Sequence, residues 1–271
     1  MAAWPIKPGE PATPSPPGDA ARAPGVLYAL GLILLYFLLQ LAAGALVSFA
    51  ASVFERFRHP DLSHAEVQQH VMSWLQRPDS NALLVIIALP LIALMMLIMV
   101  RRAWPVLWLL PRPPGFGLTA PIAANWYVLG LLVGLVMPPL GGILTQWLAH
   151  GHEVTQNVEE LSRHASSNLR LPLAMVAVSV GPMIEELLFR GVLLSALMRR
   201  LSTGLSVTIC AVLFGVVHLG GLDFEWYALP NLILLAAALC WLRLKSASLW
   251  PAILAHSIYN LFALIALFAA T

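Results

Sequence analysis

Six polar residues lie in segments of the chain that are otherwise apolar, and their types are those that hydrolytic chemistry uses. They are Glu185, Glu186 and Arg190 in GPMIEELLFRG, His218 in FGVVHLG, and His256 with Asn260 in AHSIYNL. An ionisable group at membrane depth costs about 2.5–3.5 kcal/mol on insertion scales, so such a group is a functional-site hypothesis by default. A carboxylate and an imidazole can activate water for attack on a carbonyl, and an imidazole or amide can donate hydrogen bonds to the resulting oxyanion.

Helical spacing assigns these residues to faces. Glu186 and Arg190 are four residues apart with the acid first, which favours an ion pair, whereas Glu185 points about 100° away and is left for a reactant. His218 follows Phe214 by four residues, and the same spacing puts His256 and Asn260 on one face. Each cluster alone could be structural, as a buried ion network, a core histidine or polar contacts between helices. Their joint occurrence favours a site.

Composition identifies the class of protein. Hydrophobic residues make up 59% of the 271 residues, charged residues only 10%, and the mean hydropathy is +0.81, against about 25% charged residues in soluble chains. The sequence predicts an all-α, polytopic integral membrane bundle of about seven to eight transmembrane helices. The net charge of +2 comes without a run of Lys or Arg, so nucleic acid is not an expected partner. Cys210 and Cys240 lie in apolar runs and predict reduced thiols rather than a disulfide or metal site.

The chain divides into a proline-rich tail over residues 1–24, expected to be disordered, and a membrane domain over residues 25–271. A span needs about 20 apolar residues. Seven runs qualify: Gly25 to Phe54, Ala82 to Val100, Ile122 to Leu148, Leu171 to about Leu188, Ser202 to Leu219, Trp226 to Leu244 and Leu249 to Ala269. The fourth run could continue to Arg200 as one long helix, or break near Gly181-Pro182. Gly130 and Gly134 have a GxxxG spacing that predicts close helix packing inside the bundle.

Loop charges predict the orientation, because cytoplasmic loops carry excess Lys and Arg. Nine basic residues fall on one side and five on the other: Lys7, Arg22, Arg101, Arg102, Arg112, Arg199, Arg200, Arg243 and Lys245 against Arg56, Arg58, Arg77, Arg163 and Arg170. We expect a cytoplasmic N-terminus in the plasma membrane.

The motifs resemble those of the CPBP family of intramembrane endopeptidases, which groups the type II CaaX prenyl endopeptidases with bacteriocin-processing and self-immunity (Abi-like) proteins of bacteria. The family pattern is EExxxR, FxxxH and HxxxN or HxxxB, where B is Asp or Asn. This chain matches it with Glu185 to Arg190, Phe214 to His218 and His256 to Asn260, within a core over residues 171–269. The resemblance implies that Glu185 and His218 activate water and that His256 and Asn260 stabilise the oxyanion. It also implies that Glu186 and Arg190 hold the site in shape and that Phe214 lines it.

We therefore predict a membrane-embedded, glutamate-dependent protease that cleaves membrane-associated proteins or peptides and needs no cofactor. Zinc held by Glu185, His218 and His256 is a less favoured alternative, since three protein ligands are what a catalytic zinc site uses. A non-catalytic immunity or scaffold protein and a proton-coupled transporter are the alternative functions. No serine lies in a GxSxG setting. The oligomeric state and the identity of the substrate are not indicated.

Overall fold

The protein is a bundle of α-helices, described from a computed structural model over residues 23–150, 164–222 and 224–269, with side chains to Ile265. The predicted tail therefore lies almost wholly outside the described residues. No strand occurs in these ranges. The helices are α1 (Val26–Arg58), α2 (His64–Leu75), α3 (Pro78–Ala103), α4 (Asn125–Ala149), α5 (Ser167–Met198), α6 (Thr203–His218), α7 (Leu229–Ser246) and α8 (Trp250–Ala269).

Six of these helices, together with short flanking turns, are long and apolar enough to cross a membrane, and all of them are predicted spans. They are α1, α3, α4, α5, α6 extended to Leu222 and α7 extended back to Trp226. The seventh predicted span is α8, which is apolar over Trp250–Ile265, the part whose side chains are described. The prediction of an all-α polytopic membrane bundle is confirmed. Large apolar side chains such as Leu27 and Leu41 are exposed on the outside of the bundle, as a lipid-facing surface requires.

Helix α5 is continuous, so the alternative of a break near Gly181-Pro182 is wrong. Two π-helical turns, Val176–Val180 and Leu187–Leu193, are inserted in it. At the end of the first π turn, the Gly181 N–H donates to the carbonyl oxygen of Val176 rather than to that of Ala177. In the same π register, the carbonyl of Ala177 would accept from the N–H of residue 182. Residue 182 is proline, which has no N–H. The helix thus continues past the proline, and the Ala177 carbonyl remains available to another helix.

Helices α4 and α8 pack closely through the glycines that the GxxxG spacing marked. A Cβ atom added to Gly130 would lie 2.6 Å from the Pro251 carbonyl oxygen, and one added to Gly134 would lie 2.6 Å from the Ala255 carbonyl oxygen. Both distances are far below van der Waals contact, so only glycine permits this approach. The predicted close packing inside the bundle is confirmed, and it holds the helix that carries His256 and Asn260.

We expect Gly134→Ala to destabilise the protein by about 1–3 kcal/mol, because the added methyl overlaps backbone and forces α4 and α8 apart. Gly142→Ala is the matched control in the same helix, since a Cβ there meets nothing within 4 Å. Alanine also favours helix over glycine, so the control should be neutral or slightly stabilising. Thermal unfolding of both purified variants in one detergent measures the difference. Equal melting temperatures would contradict the packing argument.

The connection between α3 and α4 is held against the end of α7 by Arg243. Its side chain is fully buried and donates to the carbonyl oxygens of Pro111 at 2.7 Å and Gly115 at 2.8 Å. Gly117, with φ +77°, passes directly over the guanidinium, where a Cβ would lie 2.4 Å from Cζ. Counting Arg243 as a loop cation was therefore wrong. Without Arg243, eight basic residues remain on the predicted cytoplasmic side against five on the other. The cytoplasmic N-terminus stays a prediction.

Helix α2 is short and lies between α1 and α3. It begins with a capping box: Glu66 N–H donates to the Ser63 hydroxyl, and Ser63 N–H donates to the Glu66 carboxylate at 2.7 Å. Val67 and Val71 are buried, whereas Met72 and Trp74 are exposed. With 12 residues it cannot cross a bilayer.

Candidate active site

The two acids of α5 point to different partners, as their adjacency on a helix requires. Arg190 Nη1 donates to Glu186 Oε1 at 2.9 Å, and both side chains are fully buried. Arg190 Nη2 donates to the Ala236 carbonyl oxygen at 3.3 Å, which fixes the guanidinium against α7. The predicted i, i+4 ion pair is thus present.

Glu185 points at both motif histidines. Its Oε2 lies 3.6 Å from His218 Nε2 and 3.9 Å from His256 Nε2. The sequence argument set Glu185 apart from Arg190, and the structure brings an imidazole to each side of it, from α6 and from α8. The side chains of Glu185 and His218 are 17% and 29% exposed, so both can be reached from outside.

The ring of His218 is oriented by its own helix. Its Nδ1 lies 2.7 Å from the Phe214 carbonyl oxygen. A carbonyl oxygen only accepts, so Nδ1 carries the hydrogen and a neutral ring presents a lone pair at Nε2. Glu185 Oε2 and His218 Nε2 are then two acceptors that face each other. A water molecule beside them can donate one hydrogen to each, which is the arrangement that makes water nucleophilic.

Glu186 also orients His256, a contact that sequence reasoning missed. His256 Nδ1 lies 2.9 Å from Glu186 Oε1, the same oxygen that accepts from Arg190. Seventy residues separate the two, so no spacing within a helix could signal the contact. The carboxylate holds the Nδ1 hydrogen, and Nε2 is turned toward Glu185.

Phe214 packs against the guanidinium of Arg190 and against both imidazoles. Its ring centroid is 4.5 Å from that of His218 and 5.7 Å from that of His256, and the Arg190 Cζ lies 4.3 Å above the ring. The ring therefore packs both imidazoles and stacks with the guanidinium. This explains why an aromatic residue precedes His218 by one helical turn.

Asn260 docks α8 on the first π turn of α5. Its Nδ2 donates at 2.9 Å to the Ala177 carbonyl oxygen, the group that the π register and Pro182 leave without a helical donor. The amide nitrogen has a second hydrogen. That hydrogen is the one available to a reactant in the adjoining cavity, which Asn260 lines.

These side chains open into a cavity of about 170 Å³ with aliphatic walls. The walls come from α3, α5, α7 and α8: Val85, Leu89, Leu173, Val176, Leu232, Leu235, Ala263 and Leu264. Tyr259 also lines it and accepts a hydrogen bond from Asn231 at 2.9 Å. Tyr36 of α1 was not predicted; it is 2% exposed and within electrostatic range of Glu185. A single tyrosine in an apolar run of sequence does not indicate that its side chain lies near the site.

The described residues contain no group of three or more His, Cys, Asp or Glu side chains arranged to hold a metal ion. Glu185, His218 and His256 come nearest to such a set. One ring nitrogen of each histidine is already engaged, by Phe214 and by Glu186. Ser179 and Ser195 donate to backbone carbonyls of Met175 and Gly115 and lie outside the cavity lining.

Fold and site together define an all-α polytopic membrane protein with carboxylate and histidine side chains converging inside its bundle. Residues 167–262 match the family model described as "Type II CAAX prenyl endopeptidase Rce1-like". The predicted resemblance to the CPBP family of membrane proteases is confirmed over these residues.

One curated relative supports the same class. The chain is 24% identical over 144 residues, 52% of this chain and 54% of the relative, to "Putative membrane peptidase YdiL" of Bacillus subtilis (strain 168). The chain thus spans about half the length of the curated relative that it matches. No solved structure matches the chain. These likenesses support a membrane protease in general.

Proposed function

We propose that the protein is an intramembrane endopeptidase that hydrolyses peptide bonds of membrane-associated proteins or peptides by activating water on Glu185 and His218. The observation that carries the proposal is the convergence of Glu185 Oε2 with the Nε2 atoms of His218 and His256, at 3.6 and 3.9 Å, beside a cavity lined by apolar residues. The match of residues 167–262 to a family of endopeptidases supports the same reaction class.

In the proposed first step, a water molecule donates to Glu185 and His218, and its oxygen attacks the scissile carbonyl carbon. One water proton passes to Glu185, and the carbonyl oxygen becomes an oxyanion. His256 stabilises that oxyanion from Nε2 in its doubly protonated form, because a neutral ring with its hydrogen held at Nδ1 by Glu186 has no hydrogen at Nε2. The second Nδ2 hydrogen of Asn260 is the other donor.

In the second step the C–N bond breaks as the oxyanion collapses to a carbonyl, and the proton on Glu185 passes to the departing amine. Glu185 is then a carboxylate again and the cycle closes, so the reaction balances with water as the only co-reactant. No metal is needed for these steps. Stoichiometric zinc in the purified protein, lost together with activity on chelation, would contradict the metal-free mechanism.

A terminal-peptide proteomic comparison tests the function. Membranes expressing wild type and Glu185→Ala at matched abundance are compared for protein termini that arise only with the wild type. Such termini would establish proteolysis and identify the substrates. Identical termini in the presence of the natural partners would overturn the proposal. A protective phenotype that survives Glu185→Ala would then indicate an immunity protein, and proton-coupled flux in proteoliposomes would indicate a transporter.

A further inference from the structure

A second cavity, of about 860 Å³, lies away from the motif residues, where α1 ends and α3 begins. Its walls come from the last turns of α1, from α2 and from Arg77, the residue that precedes α3. Its volume falls within the range of about 300–1,000 Å³ that is typical of small-molecule sites. Because spanning helices end at this level, it faces the headgroup region of the membrane.

One wall of this cavity is apolar. Val47, Ala50 and Phe54 line it from α1, and their spacing of three and four residues places them on one face of the helix. Trp74 of α2 also lines the cavity. Phe54 is 59% exposed and Trp74 is 40% exposed, so the wall is uncovered within the described chain. Tryptophan is the residue enriched at the level of lipid headgroups.

The cavity lining also includes Glu55, whose carboxylate has a hydrogen-bond partner on one of its two oxygens. Glu55 Oε1 lies 3.0 Å from His70 Nδ1 and 4.0 Å from His59 Nε2. Its second carboxylate oxygen has no hydrogen bond or ion pair within the described ranges, 23–150, 164–222 and 224–269. An acceptor for one further N–H group is therefore available in the cavity.

The same lining holds an unpaired cation. Arg77 is exposed, and among the described residues no carboxylate oxygen lies within 4.0 Å of it. A second guanidinium, of Arg58, lies 5.1 Å from the centroid of the Phe54 ring, which lines the cavity. A free guanidinium binds phosphate well, because it can donate two parallel N–H groups to the phosphate oxygens.

We propose that this cavity binds a membrane phospholipid whose headgroup combines a phosphate with a primary amine, as in phosphatidylethanolamine. The phosphate pairs with Arg77, the ammonium donates to the free oxygen of Glu55, and the acyl chains lie along Val47, Ala50 and Phe54. A choline headgroup has no N–H to give to Glu55, and a glycerol headgroup has no positive charge. The presence of an acid, a base and an apolar wall in one cavity therefore favours the amine among the common headgroups.

Native mass spectrometry of the full chain tests this. The delipidated protein is mixed with equal amounts of phosphatidylethanolamine, phosphatidylcholine and phosphatidylglycerol that have the same acyl chains. We expect one phosphatidylethanolamine to survive activation that strips the other two. Arg77→Gln should reduce its occupancy about tenfold, since a charge-assisted bond is lost. Glu55→Gln should remove the preference over phosphatidylcholine and leave residual binding.

The control is Arg102→Gln, an exposed cation at the opposite end of α3. An equal loss in this variant would show nonspecific attraction of lipid to any helix-end cation and overturn the proposal. Arg77→Lys should retain part of the binding, which separates loss of the site from misfolding. Absence of any headgroup preference, or a second copy or a peptide on this surface in place of lipid, would equally overturn it.

Discussion

Glu185→Gln is expected to lower kcat for peptide hydrolysis by about 10³, within the range of 10²–10⁴ that a general base contributes. Glutamine keeps the shape of the side chain and remains polar, so the cavity and the bundle should persist. Its amide cannot take a proton from a water molecule held beside His218, whose Nε2 lies 3.6 Å from Glu185 Oε2 in the wild type. The measurement is turnover of a peptide or protein substrate identified by terminal-peptide proteomics, with the purified variant in the same detergent as wild type.

His218→Asn sharpens this prediction, because the two side chains are expected to act on one water molecule. When two groups act on the same water molecule, removing either one already abolishes most of their joint contribution to kcat. The double variant should therefore be little slower than the slower single variant. Glu66→Gln is the carboxylate control; it lies in the capping box of α2, a position that glutamine also suits. Multiplicative losses in the double variant would contradict a shared water, and unchanged turnover in Glu185→Gln would contradict the proposed base.

Arg190→Met is expected to destabilise the protein by about 3–5 kcal/mol, the cost of breaking a buried ion pair by removing one partner. Both Glu186 and Arg190 are fully buried. Without the guanidinium, Glu186 Oε1 keeps only His256 as a partner, and Oε2 has none among the described residues. The Phe214 ring also loses the cation that stacks on it at 4.3 Å.

Thermal or denaturant unfolding in detergent measures this effect. Combining Arg190→Met with Glu186→Gln removes the stranded charge and should recover part of the stability, which a simple packing defect would not do. Arg200→Met, at an exposed position just beyond the same helix, is the matched control and should change stability little. A double variant as unstable as Arg190→Met alone would contradict the account of the buried charge.

Local patterns in the sequence determined the class of the protein, six of its spans and the Glu186–Arg190 pair. These depend on composition and on the i, i+4 geometry of one helix, which short stretches of chain already contain. The GxxxG spacing of Gly130 and Gly134 likewise predicted close packing. Glycine has no Cβ, so two glycines on one helix face allow a neighbouring helix to approach, and this can be read from the sequence alone. The resemblance to a family rests on residue identities in order and needs no coordinates.

Only the tertiary structure decided how the helices meet. It placed His218 and His256 on either side of Glu185 and directed His256 Nδ1 to Glu186. It also bound Asn260 to the carbonyl that the π turn of α5 leaves free. It buried Arg243, which the charge pattern had assigned to a loop. The physical reason is that each of these contacts joins residues far apart in the chain. Their distances depend on helix packing angles and on a π-helical register, neither of which the periodicity of a single segment specifies.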